Sequence, residues 1–397
     1  MSKQHVLIAG AGMGGLTAAL ALLKQGIDVD VYEQAAQLRE LGAGLWISPN
    51  GTKVLNNLGL QSAIDSINLS ARDRVVRMWD TGQQWSVYTK QTGSDHNLIM
   101  VLRSELHRIL VEAVQAIKPD AIHLNARVVS CTQDEQQVTL QFEDGRSATG
   151  TALIGADGLH SKVRAAVFGP SPGRFTNAIA WRGLVPMERL KEHHRLPVAS
   201  TWVGPTAHVT SYPVRKGEQE FVSFSGQAET SQWTVESWSE QGSIAECLQD
   251  FKGWHQDIVD LIENAETLYK WGLFIREPLA CWSVGRVTLL GDACHSMVPY
   301  LGQGVNMAIE DACVAARCLK MEGDTDTAAA LQRYSKARAD RGALTVQRSL
   351  GMQYVFHNDA LGNPATAEDY VNQNWSPAKM KERYDWLFEY DANTVAV

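Results

Sequence analysis

The pattern of apolar and polar positions at the start of the chain predicts a strand, a helix and a second strand. His5 to Ala9 is an apolar run typical of a buried parallel strand, and Leu16 to Leu23 has helical spacing. Val29 to Tyr32 forms the second strand and ends at Glu33. A glycine-rich turn, Gly10 to Gly15, separates the first strand from the helix and reads G-x-G-x-x-G. This arrangement predicts a βαβ unit that binds a dinucleotide, in preference to an ordinary glycine-rich turn.

Each position of the turn has a physical task. Gly10 allows the tight turn, Gly12 lets the backbone approach a pyrophosphate, and Gly15 lets helix and strand pack closely. Gly14 stands beside them at the start of the helix, where free N–H groups and the helix dipole attract an anion. Glu33, 18 positions after Gly15, can accept hydrogen bonds from a ribose diol. The motif alone does not say which dinucleotide binds.

The rest of the chain alternates between two kinds of pattern. Residues 75–88 alternate around a Thr-Gly turn and predict a β-hairpin, and residues 175–271 alternate as an antiparallel sheet does. Helices are expected at 52–60, at 102–117 with Ser104 as N-cap, at 243–265 as one helical patch, at 304–319 and from 327 to about 350. Nucleotide-type elements therefore lie at the start, middle and end, with other material inserted between them.

Composition excludes some partners. With 397 residues, 45% of them hydrophobic and 20% charged, the chain is long enough for two packed lobes with a large core. A net charge of −8 argues against nucleic acid or an anionic membrane as the main partner. The six cysteines form no C-x-x-C pair, so we expect reduced thiols, no metal site and a cytoplasmic protein without a signal peptide.

Two later motifs make the first one specific. Asp157-Gly158, in GADGLHSKVR, and Gly291-Asp292, in GRVTLLGDACHSM, each follow a buried apolar strand. Ligands of open α/β sheets bind at the carboxyl ends of such strands. Either dipeptide alone is common turn chemistry. In this order after a G-x-G-x-x-G, they indicate one composite site.

On these motifs the chain resembles the group A FAD-dependent aromatic hydroxylases, which have the para-hydroxybenzoate hydroxylase fold. Within this family, its motifs are most similar to those of the salicylate hydroxylase and 3-hydroxybenzoate 6-hydroxylase branch. The resemblance extends over essentially the whole chain, from VYEQA and LGAGLWISPNG through LRSELHRIL and GADGLHSKVR to REPLACWSVGRVTLLGDACHSMVPYLGQGVNMAIEDA and DWLFEYDA.

The resemblance implies an α/β fold: a Rossmann-like FAD-binding domain, an interleaved antiparallel-sheet substrate domain and a helical C-terminal tail. The expected FAD-binding domain is discontinuous and comprises residues 1–72, 97–174 and 275–350. The substrate domain would comprise 73–96 and 175–274, and the tail 351–397.

The resemblance also implies which residues hold the cofactor. Gly10, Gly12, Gly14 and Gly15 would hold the FAD pyrophosphate, and Glu33 the adenosine ribose. Further cofactor contacts are implied for Arg103, Asp157, Gly158, Asp292, Pro299, Gly302 and Gly304. The helix that begins at Gly304 would direct its positive end at the isoalloxazine and stabilise the anionic reduced flavin.

On the substrate side, the pair His208 and Tyr212 stands out. They lie four residues apart on an alternating strand and so point to the same face. Periodicity alone favours a His and a Tyr that satisfy each other on a half-buried sheet. The resemblance instead places both beside the substrate, with His208 as the base and Tyr212 orienting the substrate. Tyr300 is implied as a further substrate contact.

Three further residues are candidates for the substrate site, one as an alternative base and two as partners of a substrate carboxylate. His295, just after a strand end, is the alternative base, although its position favours packing near the flavin loop. Arg182 and Arg215 are candidate partners for a substrate carboxylate, although most arginines lie on the surface.

The implied activity is that of a monooxygenase with bound FAD, transient NADH or NADPH and O2 as co-substrate. It would hydroxylate a small aromatic acid or phenol, hydroxybenzoate- or salicylate-like, through a flavin C4a-hydroperoxide. The alternatives are the same fold oxygenating a hydroxynicotinate- or quinolone-like heteroaromatic, and a non-catalytic flavin redox sensor. A small aromatic substrate is then the expected partner of a monomer or homodimer, with no nucleic acid or membrane.

Overall fold

A computed structural model describes residues 4–38, 43–69, 71–89, 98–231, 233, 240–322 and 326–397. Its strands are β1 His5–Ala9, β2 Asp28–Tyr32, β3 Gly44–Ile47, β4 Asp73–Met78, β5 Gln84–Thr89, β6 Ile99–Leu102, β7 Ile122–His123, β8 Val128–Gln133, β9 Val138–Phe142, β10 Ser147–Gly150, β11 Ala152–Gly155, β12 Arg174–Pro186, β13 Val198–Val203, β14 Ala207–Lys216, β15 Gln219–Glu229, β16 Gln241–Gly242, β17 Leu268–Ile275, β18 Ser283–Val284 and β19 Val287–Leu289. Its helices are α1 Met13–Lys24, α2 Pro49–Asn57, α3 Gln61–Ile67, α4 Arg103–Ile117, α5 Lys162–Phe168, α6 Ile244–Asp250, α7 Gln256–Glu263, α8 Asp292–His295, α9 Gly304–Glu322, α10 Thr327–Gly351, α11 Gln353–Phe356, α12 Pro364–Asn374 and α13 Pro377–Phe388.

A six-stranded sheet lies at the centre of the first lobe, in the order β18-β19-β11-β1-β2-β7. Its pairings are parallel except between β18 and β19. Val6 in β1 is in register with Val29 and Ala152 on its two sides. The last four residues of β1 are fully buried, so both faces of the sheet are covered there, and α1 packs against β1 and β2. An apolar strand with no alternation is the pattern that such a doubly covered parallel sheet requires.

The second lobe is an eight-stranded sheet in the order β16-β17-β12-β15-β14-β13-β4-β5. Its neighbours are antiparallel except β13 and β4, which run parallel. The hairpin expected at 75–88 is confirmed as β4 and β5, which extend the edge of this sheet. The predicted fold class is thus confirmed: a parallel nucleotide-type sheet, an interleaved antiparallel sheet and C-terminal helices.

One local expectation was wrong in its bounds, one was wrong in its cap, and the helical patch is confirmed in more detail. The helix expected at 52–60 begins at Pro49 and ends at Asn57, because proline fits the first helical turn. Ser104 does not cap α4, which begins at Arg103 with Leu102 as N-cap. The patch at 243–265 is two helices, α6 and α7, and α6 begins with a capping box between Ser243 and Glu246.

The C-terminal helices pack against the eight-stranded sheet. Phe356, Val371, Leu387 and Phe388 are buried in one apolar cluster with side chains of the sheet. Within the described part of the chain, no helix is long and apolar enough to cross a membrane.

Candidate active site

A cavity of about 700 Å³ lies where the carboxyl ends of the parallel strands meet the inner face of the eight-stranded sheet. Its lining includes residues that directly follow β11 and β19, the position at which open α/β sheets bind ligands. Thirteen of the residues singled out from the sequence line it: Gly12, Gly14, Arg103, Asp157, Gly158, Arg182, His208, Tyr212, Asp292, Pro299, Tyr300, Gly302 and Gly304. Gly10, Gly15 and Glu33 do not.

The glycines of the first turn divide into two groups. Gly10 has φ +102°, and a Cβ there would collide with the Ala156 carbonyl at 2.5 Å. A Cβ on Gly15 would collide with the Gly10 carbonyl, so both glycines are required by backbone packing. Gly12 is the N-cap of α1 and has no neighbour within 4 Å of its Cβ direction. The turn therefore presents an open backbone cradle at a helix N-terminus, which suits a pyrophosphate.

Glu33 supports this cradle from behind. Its Oε2 accepts a hydrogen bond from the Ala11 N–H at 2.9 Å, and its Oε1 accepts one from the Ala35 N–H at 2.9 Å. The carboxylate thus fixes the turn. Each oxygen retains a second acceptor site, so ribose binding by Glu33 stays a prediction.

Asp157 is also engaged with the backbone. Its carboxylate accepts from the Ser161 hydroxyl at 2.5 Å and from the N–H groups of Lys162 and Val163 at 2.7 and 3.2 Å. It therefore holds the N-terminus of α5. Burial raises the pKa of Asp157 despite these donors. Gly158, with φ +75° and no neighbour near its Cβ direction, leaves the adjacent backbone open to the cavity.

Asp292 is the first residue of α8 and is exposed to the cavity. Burial within the surrounding protein raises the pKa of its carboxyl, while His295 and Arg103 lower it. No described residue hydrogen-bonds this carboxylate, so it is available to hydroxyl groups of a ligand. Arg103, the first residue of α4, lines the same end of the cavity.

The α9 helix begins at the cavity. Pro299 opens a 3-10 turn that ends at Gly302, which has φ +64° in the left-handed region, and α9 follows from Gly304. The helix has 19 residues, and its positive end faces the space between the glycine turn and the sheet. A glycine cradle at one end, a free carboxylate and a second helix N-terminus together fit FAD.

The sheet wall follows period-two spacing on β13, β14, β15 and β17, whereas β4 lines the cavity with the consecutive residues Arg74, Val75 and Val76. Its cavity-lining positions are Ala199 and Thr201 on β13, His208, Thr210 and Tyr212 on β14, Ser223, Ser225 and Gln227 on β15, and Tyr269, Trp271 and Leu273 on β17. Alternate side chains of a strand share one face. The prediction that His208 and Tyr212 share a face is confirmed.

His208 is 2% exposed, and its ring nitrogens have different environments. Nδ1 lies 2.7 Å from Nε2 of His357, while Nε2 has no hydrogen-bond partner among the described residues. Burial and the neighbouring His357 hold the pKa of His208 well below its usual 6.5. The imidazole is therefore neutral near pH 7 and can accept a proton.

Tyr212 and Tyr300 flank His208. Burial raises the pKa of Tyr212 to about 12, and the Trp46 ring contacts Tyr212 edge-on. The Tyr300 ring lies 5.1 Å from that of His208, and its hydroxyl is buried with no hydrogen-bond partner. Burial raises the pKa of Tyr300 as well. Both phenols remain protonated near neutral pH and can donate to a ligand.

The two arginines considered as carboxylate partners differ sharply. Arg182 lines the cavity, with its guanidinium 4.9 Å from the Trp271 ring centroid. No described carboxylate pairs with it, and burial lowers its pKa. Arg215 instead forms an ion pair with Glu220 at 2.9 Å, away from the cavity lining.

His295 lies outside the cavity lining. It is fully buried, its Nε2 is 2.5 Å from Asp311 Oδ2, and its ring lies against Trp282. Burial opposes the charging of His295, but the Asp311 carboxylate outweighs it and raises the pKa. This geometry separates the competing histidine from the cavity.

Several cavity residues were missed from the sequence. Phe356, Trp375, Met380 and Tyr384 reach the lining from the C-terminal helices. His357, behind His208, also hydrogen-bonds Glu229 through Nδ1 at 3.0 Å. Glu229 continues the polar alternation of Ser223, Ser225 and Gln227, so a signal for it existed. No local pattern marks His357 or the C-terminal residues.

Comparison with known proteins agrees with this geometry. Residues 3–349 match the family model described as FAD binding domain. The chain is 35% identical to the 3-amino-4-hydroxybenzoate 2-monooxygenase PtnB3 of Streptomyces platensis over 99% of its own length and 98% of that protein. The chain belongs to this FAD-binding family of aromatic monooxygenases.

A second relative and a solved structure are similar to this flavoprotein over nearly its whole length. It is 32% identical to the 3-hydroxybenzoate 6-hydroxylase of Polaromonas naphthalenivorans over 97% of its length and 96% of that protein. The solved structure of Klebsiella pneumoniae HpxO complexed with FAD and uric acid matches with a TM-score of 0.82 at 30% identity, covering 97% of this chain and 96% of that one. The resemblance to aromatic hydroxylases and the FAD cofactor, both predicted from the sequence, are thereby confirmed.

Proposed function

We propose that this flavoprotein hydroxylates a small aromatic acid that carries a phenolic hydroxyl, using NADH or NADPH and O2, with His208 as the base. The observation that carries the proposal is the open Nε2 of His208 on the cavity wall. A phenol becomes a stronger nucleophile when it loses its proton, so a neutral imidazole beside it promotes ring attack on an electrophilic oxygen.

The charge of the cavity wall supports an acidic substrate. Arg182 is a half-buried cation on the cavity lining, with no carboxylate partner among the described residues. A carboxylate on the ring would complete a charge-assisted hydrogen bond there. The protonated hydroxyls of Tyr212 and Tyr300 would then orient the ring relative to His208. The relatives named above for hydroxybenzoate chemistry act on molecules of this class.

The division of labour follows from these positions. FAD, when bound, supplies the redox chemistry, since it accepts a hydride from the nicotinamide cofactor and activates O2. Gly12, Gly158 and Asp292 would hold it from the nucleotide side, and Gly302 and Gly304 from the flavin side. His208 removes the phenolic proton at Nε2. The sheet wall and the C-terminal helices keep water from the reacting atoms.

The experiment is direct. We expect the purified protein to carry FAD, and substrate-stimulated NAD(P)H oxidation to appear in a panel of hydroxybenzoates. Mass spectrometry should show one added oxygen per product. A protein that cannot be reconstituted with FAD, or NAD(P)H oxidation that no aromatic acid stimulates, would refute the proposal. The second outcome, with a partner bound in one redox state only, would instead indicate a flavin sensor.

A second substrate class is favoured by one observation. The buried Oε1 of Gln227 lines the cavity without a hydrogen-bond partner, while its Nε2 donates to Ser225 at 2.7 Å. A ring N–H or an amino group would satisfy that oxygen. Hydroxynicotinates and amino-hydroxybenzoates therefore belong in the same panel, and Gln227→Leu should weaken their binding more than that of hydroxybenzoates.

The setting of the enzyme is also part of the proposal. The six thiols are free, which fits a reducing cytoplasm. We propose a monomer or homodimer, and size-exclusion chromatography with light scattering distinguishes them.

A further inference from the structure

Behind the open nitrogen of His208, a chain of hydrogen bonds leads to the surface. His208 Nδ1 lies 2.7 Å from His357 Nε2, and His357 Nδ1 lies 3.0 Å from Glu229 Oε1. The His357 side chain is fully buried, whereas that of Glu229 is 41% exposed. The chain therefore connects the cavity wall with solvent through one buried group.

The partners fix the direction in which each ring nitrogen acts. The hydrogen bond from His357 lowers the pKa of Glu229, so this carboxylate is ionised and can only accept. His357 Nδ1 must then carry a proton for this hydrogen bond, and the contact with His208 takes His357 Nε2 as its acceptor. His208 Nδ1–H donates to it, and the lone pair of His208 lies at Nε2, toward the cavity. The hydrogen bonds of all three groups therefore point in one direction, from the cavity toward Glu229 and solvent.

Among the described residues, few other titratable groups contact the hydrogen-bonded series of His208, His357 and Glu229. Tyr300, from the turn before α9, faces both imidazoles, with ring centroids 5.1 Å from His208 and 6.1 Å from His357. From the segment of α11, Gln353 Nε2 donates to Glu229 Oε1 at 3.2 Å, and Phe356 lies against His208. On β15, Gln227 is the cross-strand partner of His208. The proton's route is therefore flanked by neutral groups.

We infer that His208, His357 and Glu229 form a proton relay that carries the phenolic proton from the closed cavity to solvent. The inference rests on the proposed function for the identity of the proton donor. The phenol O–H breaks and a bond forms at His208 Nε2. The Nδ1 proton of His208 passes to His357 Nε2, and the Nδ1 proton of His357 passes to the Glu229 carboxylate. Glu229 then releases one proton to water. After oxygen transfer, Glu229 takes up one proton from water and the three steps run in reverse, which protonates the phenolate oxygen of the product and returns both imidazoles to their starting tautomers.

The relay would resolve a conflict within the site. The cavity must exclude water for oxygen transfer, yet ionisation of the substrate needs an exit for its proton. A path through the protein wall satisfies both requirements. His357 and Glu229 act through His208 and are positioning residues.

A probe that ionises without turnover tests the relay. In the oxidised holoenzyme, without NAD(P)H, 4-hydroxy-3-nitrobenzoate reports its phenolate by absorbance after an upward pH jump. We expect Glu229→Gln to slow this ionisation roughly 10-fold, and Glu229→Asp to restore part of the rate. His357→Asn, which removes the middle group, should slow it at least as much.

The control is Glu220→Gln, the same change at the opposite end of β15, where the side chain pairs with Arg215 outside the cavity lining. It should ionise the probe at the wild-type rate. In steady-state turnover, Glu229→Gln should lower kcat with KM within about twofold of wild type. Its kcat profile should also move to lower pH, because the lost anion no longer stabilises a positive charge on the hydrogen-bonded series.

Equal ionisation rates in wild type and Glu229→Gln would overturn the relay. So would a uniform loss of rate with no change in the pH profile, which a merely structural role produces. Because the probe needs no turnover, these outcomes are separate from failure of the proposed function, which shows as a wild-type holoenzyme that hydroxylates no member of the panel.

Discussion

Two polar clusters in this flavoprotein differ in whether their charged groups are paired with opposite charges of the protein. The core charge cluster, defined as His295, Glu310, Asp311 and Arg338, lies between α8, α9 and α10. The cavity wall group, defined as Arg182, His208, Tyr212 and Tyr300, faces the cavity. In the first cluster every charge meets an opposite charge: Arg338 contacts Glu310 at 2.7 Å and Asp311 at 2.8 Å. In the second, Arg182, His208 Nε2 and the Tyr300 hydroxyl have no such partner among the described residues.

The two histidines show the consequence. Burial opposes the charged form of both, but only His295 has a carboxylate beside it, so its pKa rises while that of His208 falls. Charges that are paired inside the protein stabilise one structure, whereas an unpaired group that faces a cavity is available to a ligand. His295 Nδ1 also has no hydrogen-bond partner among the described residues, but it lies outside the cavity lining. A buried titratable group therefore indicates a ligand site only when it has no partner of opposite charge within the protein.

The largest expected effect comes from breaking the core charge cluster. Asp311→Asn leaves Arg338 and His295 without their shared anion inside the protein. We expect the free energy of unfolding to fall by about 3–5 kcal/mol. Urea denaturation at fixed FAD concentration measures it. The exposed pair of Lys379 and Glu382 offers a control, and Lys379→Gln should change the midpoint little. A stable Asp311→Asn variant would show that the two clusters do not differ as argued.

His208→Ala tests the other side of the comparison. The variant should keep its FAD and its unfolding midpoint but lose roughly 10²-fold or more of hydroxylation, since it lacks the base. Product formation, measured alongside NAD(P)H oxidation, separates lost chemistry from lost cofactor. Normal product formation in His208→Ala, together with a folded but inactive His295→Ala, would reverse the assignment of the base.

Arg182→Met should raise KM for substrates with a ring carboxylate by roughly 10- to 100-fold, since a hydrogen bond to a charged group is worth about 1.5–3 kcal/mol. A phenol without the carboxylate should be used no less well than by wild type. Arg215→Met, a matched change outside the cavity, should leave KM unaltered. If both variants behave alike, the carboxylate binds elsewhere.

The smallest effect is the position of the acid limb of kcat/KM. The base must be unprotonated, and the lowered pKa of His208 keeps it so until the pH falls well below 6.5. Activity should therefore hold through pH 6.5 and decline only below it. A limb above pH 6.5 would match the raised pKa of His295 instead. A pH series in buffers of constant ionic strength decides.

Much of this organisation was predictable because it is local. The βαβ unit, the acids after β11 and β19, and the shared face of His208 and Tyr212 follow from spacing within one element. The remainder depends on long-range contacts. His357 is 149 positions from His208, and the pairing of Asp311 with Arg338 joins two different helices, α9 and α10. The sequence does not rank Arg182 above Arg215, and the fold separates them by placing Arg182 on the cavity lining and Arg215 beside Glu220.

The period-two spacing of the sheet wall has a consequence for how this enzyme can change. Positions 199 and 201, 210, and 223 and 225 face the cavity with small side chains, while their neighbours 209, 222 and 224 face a separate apolar core. Ala199 packs in a buried cluster and Ser223 accepts a hydrogen bond from the Gly44 N–H at 3.1 Å, so these two positions also support the fold. Mutations at 201, 210 and 225 therefore alter which molecule fits with the least disturbance of the residues that hold the lobe together. A lineage with this sheet can acquire new substrates by single replacements, and a directed library confined to those three sites should yield mostly folded proteins.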